Sequence, residues 1–147
     1  MQKQKKKGGF YNMNYFGASM NQSPVVAEKA GKEIKNGAFL AVKYDDDGNI
    51  VLCDKAGETA LGILLPDTAE EISQGNELTI QIKDIGLAKA GGVFKKGAPL
   101  TTDAQGKLVE AASGSFILGY ALEQSFAEGQ FVRVDITKSG YNTAARA

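Results

Sequence analysis

Two stretches of strict alternation constrain this chain more than anything else in it. Leu78, Ile80 and Ile82 are separated by Thr79 and Gln81, and Val132, Val134 and Ile136 by Arg133 and Asp135. A period of two puts successive side chains on opposite faces, so each stretch reads as a strand with one buried and one wet face. From Val25 onward the chain falls into short apolar runs separated by Gly, Asp and Asn clusters, the rhythm of a sandwich or barrel. Residues 39–43, 50–53, 61–65, 85–89, 108–111 and 116–122 are further strand candidates. Asp67-Thr68-Ala69-Glu70 resembles a capping box and predicts a single helical turn between Pro66 and Gly75. No long amphipathic helix is written in the pattern. The expected fold class is all-β.

The pattern occurs twice. Lys35-Asn36-Gly37-Ala38, a strand, Asp47-Gly48, a strand, Leu61-Gly62-Ile63 and a linker to Gly75 lead into the alternation ending at Ile82. Lys95-Lys96-Gly97-Ala98, a strand, Gln105-Gly106, a strand, Leu118-Gly119-Tyr120 and a linker to Gly129 lead into the alternation ending at Ile136. Residues 35–82 and 95–136 therefore read as two similar β-units of about four strands, joined by residues 85–92 and covering each other's apolar faces. Asp47-Gly48 and Gln105-Gly106 fall where hairpin turns need a positive φ, which glycine adopts cheaply. At 147 residues the chain suits one domain. The expected organisation is an extended N-terminal arm over 1–23, a single β domain over 24–137 and a short tail over 138–147.

Histidine is absent, which removes Ser-His-Asp and Cys-His catalysis and most catalytic zinc sites. The single Cys53 has no intramolecular disulfide partner, and its setting in Ile50-Val51-Leu52-Cys53 reads as a buried structural thiol. Asp45-Asp46-Asp47-Gly48 invites a calcium loop, but placing Gly48 at the sixth position puts Lys43 at the first ligand and Asp54 at the twelfth. A solvated hairpin turn fits better. Gly92-Val-Phe-Lys-Lys-Gly97 has P-loop glycine spacing, yet Ala98-Pro99 follows where Lys-Ser or Lys-Thr is needed. Glu70-Glu71 on a polar linker reads as a solvated edge. No catalytic, cofactor or metal site is expected, and so no enzyme. Nothing resembles a signal peptide or the ~20 apolar residues of a membrane helix, so no membrane partner and synthesis in a reducing cytoplasm are expected.

Residues 1–23 have neither helical nor strand periodicity. Lys3, Lys5, Lys6 and Lys7 precede the aromatics Phe10, Tyr11, Tyr15 and Phe16, and these eight residues are the candidate partner-binding set. Formal net charge over the whole chain is zero, so the four lysines leave the remainder at net −4. Three roles fit the arm: docking on a protein partner, a disordered solubilising tail, or phosphate neutralisation with base stacking. An acidic body repels nucleic acid, and β-surface binders carry their basic and aromatic residues on the sheet, which makes nucleic acid the weakest of the three.

The body also carries a family pattern. Gly37-Ala38-Phe39-Leu40-Ala41, Asp46-Asp47-Gly48-Asn49-Ile50, Gly57-Glu58-Thr59-Ala60-Leu61-Gly62-Ile63 and the run from Gly75 through Leu78-Thr79-Ile80 to Ala88 occur in that order. The second half answers with Gly97-Ala98-Pro99-Leu100-Thr101-Thr102-Asp103, Ile117-Leu118-Gly119-Tyr120-Ala121 and Gly129-Gln130-Phe131-Val132-Arg133-Val134. Over residues 35–137 the chain resembles the bacteriophage capsid cement, or head decoration, proteins; the arm carries no motif of that family. The resemblance implies a structural virion protein on the outer capsid surface, binding the phage major capsid protein and clamping its subunits, often as a homo-oligomeric trimer, with no catalytic residues. The competing readings are a nucleic-acid-binding module using the basic aromatic arm and a phage tail or baseplate component. Binding through phosphates weakens steeply with salt, whereas apolar docking changes much less.

Overall fold

The computed structural model describes residues 23–66 and 70–143, with the backbone of two short strands in the arm, β1 (Lys6–Lys7) and β2 (Phe10–Tyr11), which pair antiparallel. No helix occurs among the described residues. The expected helical turn falls largely on 67–69, outside them; Glu70 is a bend and Glu71 already begins a strand.

The first unit contains β3 (Val25–Lys29), β4 (Ile34–Lys35), β5 (Ala41–Tyr44), β6 (Ile50–Leu52), β7 (Gly62–Leu64), β8 (Glu71–Ile72) and β9 (Glu77–Gln81). The second contains β10 (Asp84–Lys89), β11 (Pro99–Thr102), β12 (Leu108–Glu110), β13 (Phe116–Ala121) and β14 (Phe131–Tyr141). Their five-stranded sheets run β3-β9-β7-β5-β6 and β10-β14-β13-β11-β12, the same strand order twice. Each sheet rolls toward closure at the same place. Ala30 forms a parallel bridge with Ile50 and Ala90 with Leu108, and Gly31 N donates to Ile50 O at 2.7 Å as Gly91 N does to Leu108 O. Rolling satisfies edge groups that a flat sheet leaves open.

The alternation works as its period dictates. Leu78 and Ile80 on β9 and Val132, Val134 and Ile136 on β14 are buried, while Glu77, Thr79, Arg133 and Thr137 face out. The first unit encloses a core of Val42, Ile50, Leu64, Ile72, Leu78 and Ile80. In the second, Leu100, Leu108, Leu118, Val132 and Val134 gather around Phe94, and Ala41, Cys53, Ala60 and Ile63 reach across from the first unit to join them. The units cover each other as expected, but unequally: the first also encloses a core of its own, and Ala41, Cys53, Ala60 and Ile63 of the first complete the core of the second.

Sequence-equivalent positions do the same work in both units. Asp45 Oδ1 accepts from the backbone N–H of Asp47 and Asn49, each at 2.9 Å, and Asp103 Oδ1 accepts from Gln105 and Lys107 at 2.8 and 2.9 Å. Gly48 and Gly106 complete these hairpins at φ 82° and 83°. The duplicated Leu-Gly motif has a different cause. A Cβ at Gly62 would collide with the carbonyl oxygen of Gln81, and one at Gly119 with that of Asp135, so neighbouring strands approach there only because no side chain intervenes.

Two boundaries differ from the sequence expectation. Residues 85–92 do more than join the units: the strand expected over 85–89 forms as β10 and is the first strand of the second unit, matching β3 in the first. Its inward positions are Gly86 and Ala88, too small to display an apolar stripe, and Val25-Val26-Ala27-Glu28-Lys29 of β3 has no alternation at all. β14 continues to Tyr141, past Thr137 where its alternation ends, because Tyr141 and Gly140 pair with Phe116 and Ile117 across a bulge.

Cys53 is 1% exposed, and its thiol is pushed up to about 12, chiefly by burial and secondarily by the nearby Glu58. Thiolate is the reactive form. Iodoacetamide at pH 8 is expected to leave Cys53 unmodified in the native protein and to alkylate it fully in guanidinium; labelling at equal rates in both states contradicts the burial.

Candidate docking surface

The two units share a fold but not a surface. Residues 24–83 carry eleven acidic residues against six lysines, net −5, whereas residues 84–143 carry six of each sign. Among the described residues the exposed large apolar side chains are Tyr44, Ile85, Leu87, Val93, Phe126, Phe131 and Tyr141, and all but Tyr44 belong to the second unit. Exposed apolar groups concentrated in one part of a chain mark contact surfaces, while an acidic surface stays solvated.

The most exposed of them form a pair. An antiparallel bridge joins Phe94 to Ser125, with backbone hydrogen bonds of 3.3 and 3.0 Å, so Val93 and Phe126 stand opposite each other one residue out. Phe94 and Ser125 point into the core; Val93 and Phe126 are 68% and 71% exposed. The turn beneath is braced. Ser125 Oγ donates to Gly92 O at 2.6 Å, Phe126 N donates to Gln130 Oε1 at 2.8 Å, and Gln130 Nε2 donates to Gln124 O at 2.9 Å. Phe126 also borders a cleft of about 430 Å³ with Lys96 and Arg133. In the first unit β4 and β8 pair Ile34 with Ile72, which sets Glu33 opposite Ser73 at the matching site. The same scaffold therefore presents two polar residues on one unit and two apolar ones on the other.

A second apolar strip runs along β10 and β14. Ile85, Leu87 and Lys89 lie opposite Asp135, Arg133 and Phe131. Phe131 packs edge-to-face on Phe39, ring centroids 5.3 Å apart and planes at 77°, and Lys89 Nζ sits 5.7 Å from the Phe131 centroid. Phe39 holds this position at φ 67°, with its own N–H donating to Leu64 O and its carbonyl accepting from Lys89 N. The cleft beside it, about 300 Å³, is walled by Phe39, Leu64, Pro66, Ile72 and Phe131.

Where the units meet, another cleft of about 650 Å³ opens, lined among others by Ala60, Leu61, Phe116 and Lys138. Lys43 at its edge is held by two carboxylates, Asp54 at 2.8 Å and Glu58 at 2.7 Å, which raise its pKa above the ordinary lysine range and lower that of Asp54. Burial has the opposite effect on Lys138, whose pKa falls below the ordinary lysine value.

Of the sequence-derived arm residues, Lys6 and Lys7 pair through the backbone with Tyr11 and Phe10, while Lys3, Lys5, Tyr15 and Phe16 lie outside the described residues. The body surface was not foreseen from sequence. Its signal was available in the duplication, where Val93 and Phe126 replace Glu33 and Ser73, but only strand pairing shows that these positions correspond.

A family model described as phage cement protein matches residues 48–136, more than half of the chain. The fold matches the crystal structure of the head fiber gp8.5 N base of bacteriophage phi29 with a TM-score of 0.58 and 22% sequence identity, over 80% of this chain and 97% of that one. No curated protein sequence matches the chain.

Proposed function

Because the chain belongs to the phage cement protein family, we propose that it binds the outer surface of an assembled phage capsid and stabilises that shell by bridging capsid subunits. A structural, capsid-associated role in the virion comes with the family; the outward location and the bridging are the further step. The observation that carries it is the asymmetry between the units. The second unit offers Ile85, Leu87 and Phe131 on β10 and β14 and Val93 and Phe126 beside the Phe94–Ser125 bridge, and these anchor the contact. The acidic first unit faces solvent. Residues 1–23, with Lys3, Lys5, Lys6 and Lys7 beside Phe10, Tyr11, Tyr15 and Phe16, reach a neighbouring subunit, the lysines steering the encounter and the aromatics burying area. One molecule then holds two capsid subunits.

Binding to the assembled form alone stabilises it by mass action, by about 2.7 kcal/mol per site at a hundredfold excess over Kd. Purified protein added to empty heads lacking it is expected to co-sediment saturably and to raise their rupture temperature. Deleting residues 1–23 should leave the melting temperature of the free protein unchanged and lower head occupancy. Equal rupture temperatures with and without saturating protein remove the bridging role.

A further inference from the structure

The bulge between β13 and β14 aims a lysine into the cleft between the units. Pairing runs Phe116↔Tyr141, Ile117↔Gly140 and then Gly119↔Ile136, leaving Thr137, Lys138 and Ser139 opposite Leu118. Bulges re-aim side chains, and this one holds Lys138 at φ 48°. The kink recurs in the duplicated pattern, since Asp84, the first residue of β10 and two residues past Ile82 as Lys138 is two past Ile136, has φ 67°. The side chain does not follow from the fold: one copy of the pattern has an acid there and the other a base.

Lys138 lines the 650 Å³ cleft beside the apolar walls of Phe116, Leu61 and Ala60. Phe116 is held edge-to-face by Tyr141 at 5.6 Å, and Tyr141 Oη shares a 2.7 Å hydrogen bond with Thr59 Oγ1, so the wall is rigid. The neighbouring acids are engaged elsewhere. Glu58 binds Lys43 Nζ and accepts from the backbone N–H of Asp54 and Lys55 at 2.8 and 3.0 Å; Asp54 also binds Lys43; Glu28 accepts from Tyr44 Oη. Among the described residues no carboxylate lies within ion-pair distance of Lys138. A half-buried lysine with no described carboxylate beside it, next to an aromatic wall, suits a carboxylate on a short aliphatic stem.

We propose that this cleft receives an acidic side chain of the capsid protein, its carboxylate pairing with Lys138 and its methylenes lying on Phe116 and Leu61. The proposal rests on the docking function above. It adds a second chemistry to that contact, a charged specificity point beside the apolar anchors, because a misplaced or basic partner residue would leave Lys138 desolvated and unmatched.

Two measurements on the full chain separate this claim from the docking function itself. In the first, butyrate is titrated into the free protein, and the Lys138 side-chain and Phe116 ring resonances are expected to shift saturably, with no shift in Lys138→Met. In the second, Lys138→Met is expected to bind empty heads about tenfold more weakly at unchanged melting temperature, with Lys138→Arg recovering most of the loss. If butyrate moves neither resonance, the cleft is not a carboxylate site. If Lys138→Met binds heads normally, or changes only self-association, the occupant is not the capsid protein and the proposal fails. If butyrate binds while the wild-type protein ignores heads, the docking function falls and the carboxylate site stands.

Discussion

Val134→Asp is expected to leave no folded protein. Val134 is fully buried on β14, where it pairs with Gly86 of β10 on one side and Ala121 of β13 on the other, inside the cluster that holds Leu118, Val132 and Ile136. An aspartate there has no cation or donor within the core, and burying it, charged or protonated, costs several kcal/mol. The whole stability of a domain this size is about 5–15 kcal/mol. Ile80→Asp is expected to do the same to the first unit, since Ile80 occupies the matching position on β9 and is equally buried. Thr137→Asp, on the outward face of β14, is the control and should melt close to wild type. Circular dichroism melts of the three variants decide the matter: a cooperative melt for Val134→Asp together with loss of folding in Thr137→Asp would mean that β14 is slipped by one residue, because a one-residue shift exchanges its two faces.

The paired variant Val93→Ser/Phe126→Ser is expected to lower affinity for empty heads about a hundredfold without destabilising the free protein. Both side chains point away from the core, so serine there removes no native packing. If they are the anchors of docking, their loss forfeits about 3 kcal/mol of apolar burial, roughly two decades in Kd. The matched change on the first unit, Glu33→Ala/Ser73→Ala, alters the equivalent polar pair and is expected to leave head binding unaltered. Sedimentation with heads over a concentration series gives both numbers. Equal effects of the two double variants would deny any privilege to the second unit, and a fall in the melting temperature of Val93→Ser/Phe126→Ser would show that Phe126 is structural.

These expectations draw on sequence and tertiary structure to different degrees. The all-β class, the two similar units, the hairpins at Gly48 and Gly106 and the buried faces of β9 and β14 are legible in the sequence, because a period of two and a glycine at positive φ are local requirements that each segment must meet wherever it packs. The repeated Leu61-Gly62-Ile63 and Leu118-Gly119-Tyr120 were visible as a motif. Their reason was not, because the carbonyl oxygens that exclude a Cβ belong to Gln81 and Asp135, nineteen and sixteen residues further along the chain.

Only the folded chain decided the rest. β3 carries no alternation of its own and becomes a strand because β9 offers it an edge, so its existence is a property of the pairing; the strand expected over 85–89 forms as β10, and the pairing decides that it opens the second unit. Phe126 and Phe116 are both phenylalanines near a glycine or serine. One ends 71% exposed and the other 8%, according to which side of a bridge or strand its backbone turns toward the core. Lys43 and Lys138 are likewise alike in sequence. The chain brings Asp54 and Glu58 back to the first and no described carboxylate to the second, and it is the long-range return of the backbone, which no local pattern encodes, that makes one lysine a structural tie and leaves the other open to a partner.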